Sequence, residues 1–529
     1  MKPAPLHRRK FLWQVTSAGA ALSLAGVTGG CGDDDETGDG GEGGAAPFVE
    51  SKLFIHGVAS GDPLPDAVIL WTRITLAEPG SVDVQWVIAT DPDLAEEVGS
   101  GTFATGPERD FTVKVDATGL SPATTYYYRF SVGEERSIVG RTRTAPSGST
   151  ARLRIALASC SSYAHGYFHV YQAIAEQPDI DLVLHLGDYV YEYADGDYGL
   201  LRAYEPANEI VTLEDYRIRY AQYRRDAALK AAHRQHPFVT VWDDHEFAND
   251  AWTGGAENHD PATEGDWVTR RDAAAKAYSE WMPIRDQGDP LKIWRSFAYG
   301  DLADLILLDT RLWGRTQQAL DKDDPDLAAD DRTLLGLDQE QWLGEQLRSS
   351  SARWRIIGQQ LMMGQLPQFL NVDQWDGYPA ARTRFYDAVE AEGVGDVVVL
   401  TGDIHSSWAM DLTRDPENGY DPATGAGSLA VEFVVPAVSS PGLGIDIGDA
   451  LEIENPWMKF VDTERRGFVI LDITPERVQA AYTLFDDVEM EEGATATFAA
   501  AMATYAGAPH VVDDGTAAPP RDDAPALLD

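Results

Sequence analysis

The sequence predicts an α/β protein preceded by an all-β domain. Three observations carry this. Short apolar strands separated by turns fill the stretch from Lys52 to about Pro146. From Arg152 onward, apolar strand segments alternate with stretches of helical periodicity, the pattern of an α/β domain. Several of those strands end abruptly in polar clusters, the most informative being His185-Leu-Gly-Asp-Tyr-Val-Tyr-Glu192. There a buried run, Leu182–Leu186, stops at Gly187, and Asp188 and Tyr191 follow. Carboxylate and phenolate are hard oxygen donors suited to a highly charged cation. Strand ends of open α/β sheets are where such domains keep their sites.

The elements follow in order. Residues 1–31 read as an export signal. Arg8-Arg9-Lys10-Phe11-Leu12 resembles the twin-arginine motif and precedes a weakly apolar run from Val15 to Thr28, too short to span a bilayer. Gly29-Gly30-Cys31 resembles a lipoprotein processing site, with Cys31 as candidate lipid anchor, although Thr28 stands where such sites usually carry Leu. Both simple cleavage and acylation stay open. The expected location is outside the cytoplasm: periplasmic, surface-tethered or secreted, by way of the twin-arginine export machinery. Residues 32–49 are rich in Gly, Asp and Glu and read as a flexible acidic spacer.

Within 50–148, Val68–Arg73 and Val84–Ile88 are strands. Leu120-Ser-Pro-Ala-Thr-Thr-Tyr-Tyr-Tyr-Arg-Phe130 resembles the fibronectin type III pattern, with Tyr126 placed like a tyrosine corner, so a β-sandwich is expected. Residues 150–485 form the larger domain. Strands are expected at Leu153–Leu157, Leu182–Leu186, Phe238–Trp242, Arg353–Ile357, Val397–Leu400, Val431–Val435 and Phe468–Ile473, with a hairpin turning at Gly300-Asp301. Helices are expected over Tyr167–Gln177, from the capping box Thr212-Leu-Glu-Asp215 towards His233, and over Trp267–Met282. After Asp486 the chain turns Ala- and Asp-rich, and the end of 486–529 is expected to be disordered.

Composition narrows the function. The net charge is −44, from 86 acidic and 42 basic residues among 529, a field that opposes nucleic acid and anionic membrane surfaces. No nucleic-acid partner is expected. An anionic substrate needs local cationic charge to overcome that field. Two cysteines occur, Cys31 and Cys160, and Cys160 is left unpaired if Cys31 is removed or acylated.

Five segments share one architecture, an apolar strand followed by a polar cluster: Ile155–Cys160, Leu182–Tyr191, Val239–Asp250, Ile356–Gln360 and Val397–His405. If these strands lie in one sheet, their carboxyl ends gather Cys160, Asp188, Tyr191, Asn249, Asp403 and His405 at a single edge.

Together with His56–Asp62, His165–Phe168, Trp242-Asp-Asp-His-Glu246 and Leu308-Asp-Thr-Arg311, these segments resemble the alkaline phosphatase D (PhoD-type) family of calcineurin-like metallophosphoesterases over residues 50 to about 485. The resemblance implies a metallophosphoesterase domain of two packed β-sheets flanked by helices. It also implies hydrolysis of phosphate mono- or diesters at alkaline pH by attack of a metal-bound hydroxide. Cys160, Asp188, Tyr191 and Asp403 would hold Fe³⁺, while Asp188, Asn249 and His405 would hold a second metal, Ca²⁺, with Asp188 bridging. The chain departs from the wider superfamily in lacking Asp-x-His before Asp188 and in carrying Asp250 where many relatives have His. His245, His165 and a metal-bound water are the candidate proton donors. Gln359 or Gln360 stands where other superfamily members use another His and could offer an amide, with packing the favoured reading, and Asp309 with Arg311 reads as a structural ion pair rather than a phosphate contact. Two other functions fit parts of the chain: a phosphodiesterase specialised for phospholipid or wall polymer, and a non-catalytic surface binding protein built on the fibronectin-like domain.

Overall fold

The computed structural model describes residues 51–529, apart from 79, 368–370 and 392–393. The export signal, Cys31 and the spacer lie outside the described residues. No helix among those described is long and apolar enough to cross a membrane.

Sheets of ten, seven and five strands organise the described chain. At the centre of the largest, Leu153–Ala158, Leu182–His185 and Pro237–Thr240 run parallel, with Leu184 opposite Leu157 and Val239. All fourteen of their residues are buried, as strands covered on both faces must be. The seven-stranded sheet has Ala303–Leu307, Trp354–Gly358, Val397–Thr401 and Ser428–Val434 in parallel at its core. Side chains alternate along these strands. Ile356, Val398 and Leu400 pack into one core with Leu184 and Leu186 of the larger sheet, while Ile357, Val397 and Val399 face the other way with Leu343, Leu347 and Phe385 of the helices Leu337–Ser349 and Pro379–Val389. The result is two packed sheets between layers of helix.

Four expectations change. The five strand ends come from two sheets: three from the ten-stranded and two from the seven-stranded. Strands buried on both faces carry no mark of which sheet they join. Here the two sheets are stitched where they matter, by a bridge between Ser159 and Ala437 and a hydrogen bond from Val438 N–H to Ser159 O (2.8 Å). The N-terminal sandwich is also less separate than expected. Tyr126 does behave as a corner, its hydroxyl accepting from Ser121 N–H at 2.8 Å. Yet Val58–Leu64, Ala67–Arg73 and Thr112–Thr118 extend the ten-stranded sheet, because Val58–Leu64 pairs in parallel with Pro237–Thr240.

The expected helix from Thr212 to His233 is two helices. Thr212 and Asp215 form the capping box that opens Leu213–Tyr223. Asp226 then caps Ala227–Gln235, accepting from Ala228 and Leu229 N–H, and breaks the run. The C-terminal segment is ordered. Ala496–Tyr505 and Ala508–Asp513 add two strands to the ten-stranded sheet. Alanine lowers the apparent apolar content of such a strand, but the ladder is made by backbone groups. The last residues are fastened by Arg521 to Asp181 (3.0 Å) and by Gln235 to Leu528 O (2.7 Å).

Candidate active site

The polar strand ends meet at one edge of the two packed sheets. Cys160 Sγ, a carboxylate oxygen of Asp188 and a ring nitrogen of His405 lie within 4.8 Å of one another. The Tyr191 hydroxyl donates to Asp188 Oδ2 (3.0 Å), sits 3.2 Å from His405 Nε2 and accepts from Ser440 Oγ (2.6 Å). His405 Nδ1 is 2.9 Å from Pro441 O. That carbonyl accepts only from Nδ1–H, so in the neutral ring Nε2 carries the lone pair facing the acids, the tautomer a metal-ligating histidine uses.

The backbone is strained to achieve this. Cys160, Asp188, Asp403 and His405 all have left-handed φ, at 59°, 57°, 62° and 57°. Non-glycine residues rarely adopt such angles, and they cluster where function requires them. Glu246 holds one of these turns, accepting N–H bonds from Asp188 (3.0 Å), Tyr189 (2.7 Å) and Asp243 (2.8 Å). Gly187, at φ 105°, gives the necessary close approach: a Cβ there would sit 2.5 Å from Asp243 Cβ.

A second group adjoins the first. Carboxylate oxygens of Asp243, Asp244 and Asp403 lie within 4.8 Å, as do donors of Asp188, Asp244 and His245. Arg311, fully buried, is ion-paired with Asp243, Asp373 (2.7 Å) and Asp403 (2.9 Å), with Asp244 at 3.4 Å. The expected Asp309–Arg311 ion pair is not formed. The Asp309 carboxylate instead accepts N–H bonds from Arg311, Leu312 and Trp313, and the guanidinium is spent on the other acids. Gln359 and Gln360 bond to Thr401, Leu308 and Thr310 as packing residues.

The remaining expected residues are Asn249, His245 and His165. Asn249 donates its backbone N–H to Glu192 Oε1 (2.7 Å) and its amide Nδ2 to Glu257 (2.8 Å), and its Oδ1 accepts from Tyr193 at 3.4 Å. His245 stacks on Tyr191 with ring centroids 4.3 Å apart, and its Nδ1 lies 2.7 Å from Glu192. Burial opposes a charge on His245, but Glu192, Asp244 and Asp188 outweigh it and lift its pKa well above the ordinary value. His165 bonds Ser162 (2.9 Å) and packs on Tyr198, and burial, then His405 and Arg466, push it down to about 3. Tyr189 points elsewhere, its hydroxyl 3.0 Å from His233, and His185 is core, bonded to Tyr171.

Sequence reasoning gave no role to Asp243, Asp244, Glu192 and Ser440, and paired Arg311 with Asp309 instead of the acids it meets. The first two carried the same signal as Asp403, an acid immediately after an apolar strand, in Trp242-Asp-Asp-His-Glu246. Ser440 follows no strand directly and had no such signal.

The donor set fits cations. Burial and the neighbouring Asp188 push the Cys160 thiol well above its usual range. Burial also raises Asp243 well above the carboxylate range despite Arg311, with Asp188, Asp244 and Asp403 adding to the effect. Asp243 Oδ2 is buried with no hydrogen-bond partner among the described residues. One arginine does not neutralise so many buried anionic groups, and a bound cation would. Cys160, Asp188 and His405 gather a thiol, a carboxylate and an imidazole, with the Tyr191 phenol on Asp188, whereas Asp403 clusters with Asp243 and Asp244 and Asn249 bonds to Glu192, Glu257 and Tyr193.

Known proteins resemble this chain in sequence and fold. The family described as PhoD-like phosphatase matches residues 155–482, and its N-terminal domain, described as PhoD-like phosphatase, N-terminal domain, matches 43–146. Alkaline phosphatase D of Bacillus subtilis (strain 168) is 40% identical over 482 residues, covering 86% of this chain and 81% of that protein. The solved structure of PhoD matches with a TM-score of 0.81 at 37% identity, covering 89% of this chain and 94% of that one. Fold, site and relatives together make this a phosphoric ester hydrolase. More particularly, the chain belongs to the PhoD-like phosphatase family.

Proposed function

We propose that the protein is an exported, metal-dependent hydrolase of phosphate mono- and diesters that works at alkaline pH. The observation that carries this is the packing of Cys160, Asp188 and His405 donors within 4.8 Å of one another, beside Asp243, Asp244 and Asp403. Cys160, Asp188, Tyr191 and Asp403 would hold ferric iron; Asp188, Asn249 and His405 would hold the second cation, calcium. Bound there, such ions supply Lewis acidity, activating water and neutralising phosphoryl charge.

The chain's own groups do the rest. Asp188 sits between the two donor sets and would align them. Ser440 and Asp188 hold the Tyr191 hydroxyl in place. His245, fixed by Glu192, is the proton donor we favour, while His165 is held neutral and suits a positioning role. Export is supported by Arg8-Arg9 and the apolar run behind it.

Turnover of p-nitrophenyl phosphate by the full chain and by Asp188→Asn tests the reading. Activity should fall at least about a hundredfold in the variant, and an Asp188→Asn enzyme of normal rate refutes it. Elemental analysis, with visible spectra of wild type and Tyr191→Phe, tests the metals. A ferric phenolate absorption band should vanish in Tyr191→Phe, and an active, colourless, iron-free protein rules out iron. A panel of monoesters, diesters, phospholipid and wall polymer separates a general phosphatase from a specialised phosphodiesterase.

A further inference from the structure

Away from the acidic centre, the surface carries a cavity of opposite character. It has a volume of about 250 Å³, and its lining includes Arg285, Lys292, Trp294, Arg295 and Trp342 but no carboxylate. In a chain with 86 acidic residues and 42 basic ones, this is a local basic island.

Its donors are not all used by the protein. Arg295 is neutralised by Asp62, with contacts of 2.8 and 3.1 Å. Arg285 meets Asp116 through Nη1, but its Nη2 is buried without a hydrogen-bond partner among the described residues, and so is Trp294 Nε1. Lys292 Nζ lies over the Trp294 ring, 4.2 Å from its centroid. A buried donor left unpaired is costly. A ligand that recovers this cost is rich in acceptors. Gln287 and Ser296 also line the cavity, but its charged groups are all cations and its unpaired buried atoms are both donors, so the complementary ligand is an oxyanion.

The cavity's residues also touch the segments that lead into the acidic centre. Arg295 Nη2 donates to Thr240 O (2.9 Å) at the end of Pro237–Thr240, the strand that leads into Asp243 and Asp244. The Trp294 ring lies 5.6 Å from that of Trp313, two positions beyond Arg311.

We propose that this cavity is a second oxyanion site that binds a phosphate group. The group is either inorganic phosphate or a further phosphoryl group of a substrate that carries several. Lys292, which has no ion pair among the described residues, contributes the charge, Arg285 Nη2 contributes a donor, and the tryptophans exclude water around the group.

Equilibrium dialysis of labelled inorganic phosphate against the full chain tests this. Wild type and Asp188→Asn should share a phosphate-binding step that is weakened about tenfold in Lys292→Met, the loss of one charge-assisted contact, and is restored in Lys292→Arg. Binding curves for Lys292→Met and Lys292→Glu that superimpose on wild type overturn the proposal. Steady-state kinetics then distinguish the two sources. If the site takes substrate, Lys292→Met raises KM about tenfold for a bisphosphorylated ester and leaves p-nitrophenyl phosphate unchanged. If it takes free phosphate, both substrates are unchanged while dialysis still shows the loss. An enzyme that turned over neither substrate would defeat the hydrolase reading and leave the dialysis result standing.

Discussion

Replacing Arg311 with Met perturbs the centre's electrostatics while keeping the length of the side chain. The guanidinium is fully buried and meets Asp243, Asp373 at 2.7 Å and Asp403 at 2.9 Å, with Asp244 at 3.4 Å. Removing one partner from a buried ionic group leaves the others uncompensated, at a cost of about 3–5 kcal/mol. With several acids orphaned at once, the upper end of that range is expected for Arg311→Met. Arg311→Lys should fall between the variant and wild type, because a point charge cannot meet three carboxylates arranged around a planar fork. Urea unfolding at pH 8, followed by tryptophan fluorescence, reads the difference. Arg311→Met within about 1 kcal/mol of wild type would mean that the acids are not held by this residue, and the electrostatic account of the site would fail.

Two further outcomes are expected. His236 is buried, its Nε2 3.1 Å from Ile174 O, and burial pushes it down to about 3. Below pH ~6.5 the unfolded chain takes a proton that the folded chain refuses, so stability contributed by this group is lost as pH falls, by about 1.4 kcal/mol per unit. Between pH 7 and 5, wild type should therefore lose about 2 kcal/mol more than His236→Gln; equal losses in urea titrations at the two pH values would refute the assignment. Gly187→Ala forces a Cβ to 2.5 Å from Asp243 Cβ at a φ of 105° and should displace Asp188. Its kcat on p-nitrophenyl phosphate should drop at least about tenfold, whereas an unchanged kcat would show that the turn does not need glycine.

The parts of the fold set by local chemistry were legible in the sequence. The Thr212–Asp215 capping box, the hairpin at Gly300-Asp301 and the apolar core strands declare themselves through caps, turns and periodicity. Long-range decisions did not. Leu182–His185 and Val397–Thr401 look alike as sequence, and only pairing places them in different sheets. Val58–Leu64 joins Pro237–Thr240 through backbone bonds that leave no mark on either sequence. At the site, Cys160, Asp188, Asp403 and His405 could be picked out because each follows an apolar run. Arg311 was misassigned because its partners lie on three other segments of the chain, around Asp243, Asp373 and Asp403. Ser440, which supports Tyr191, reaches the centre only through the stitch between the two sheets at Ser159 and Ala437.

The most direct test of the metal-dependent account is p-nitrophenyl phosphate turnover by the purified protein before and after chelator treatment, and again after iron and calcium are restored. The account predicts a fall of at least about a hundredfold on stripping, the loss of several kcal/mol of transition-state stabilisation, and recovery only when both ions return. Undiminished turnover by protein shown to be free of metal would contradict it.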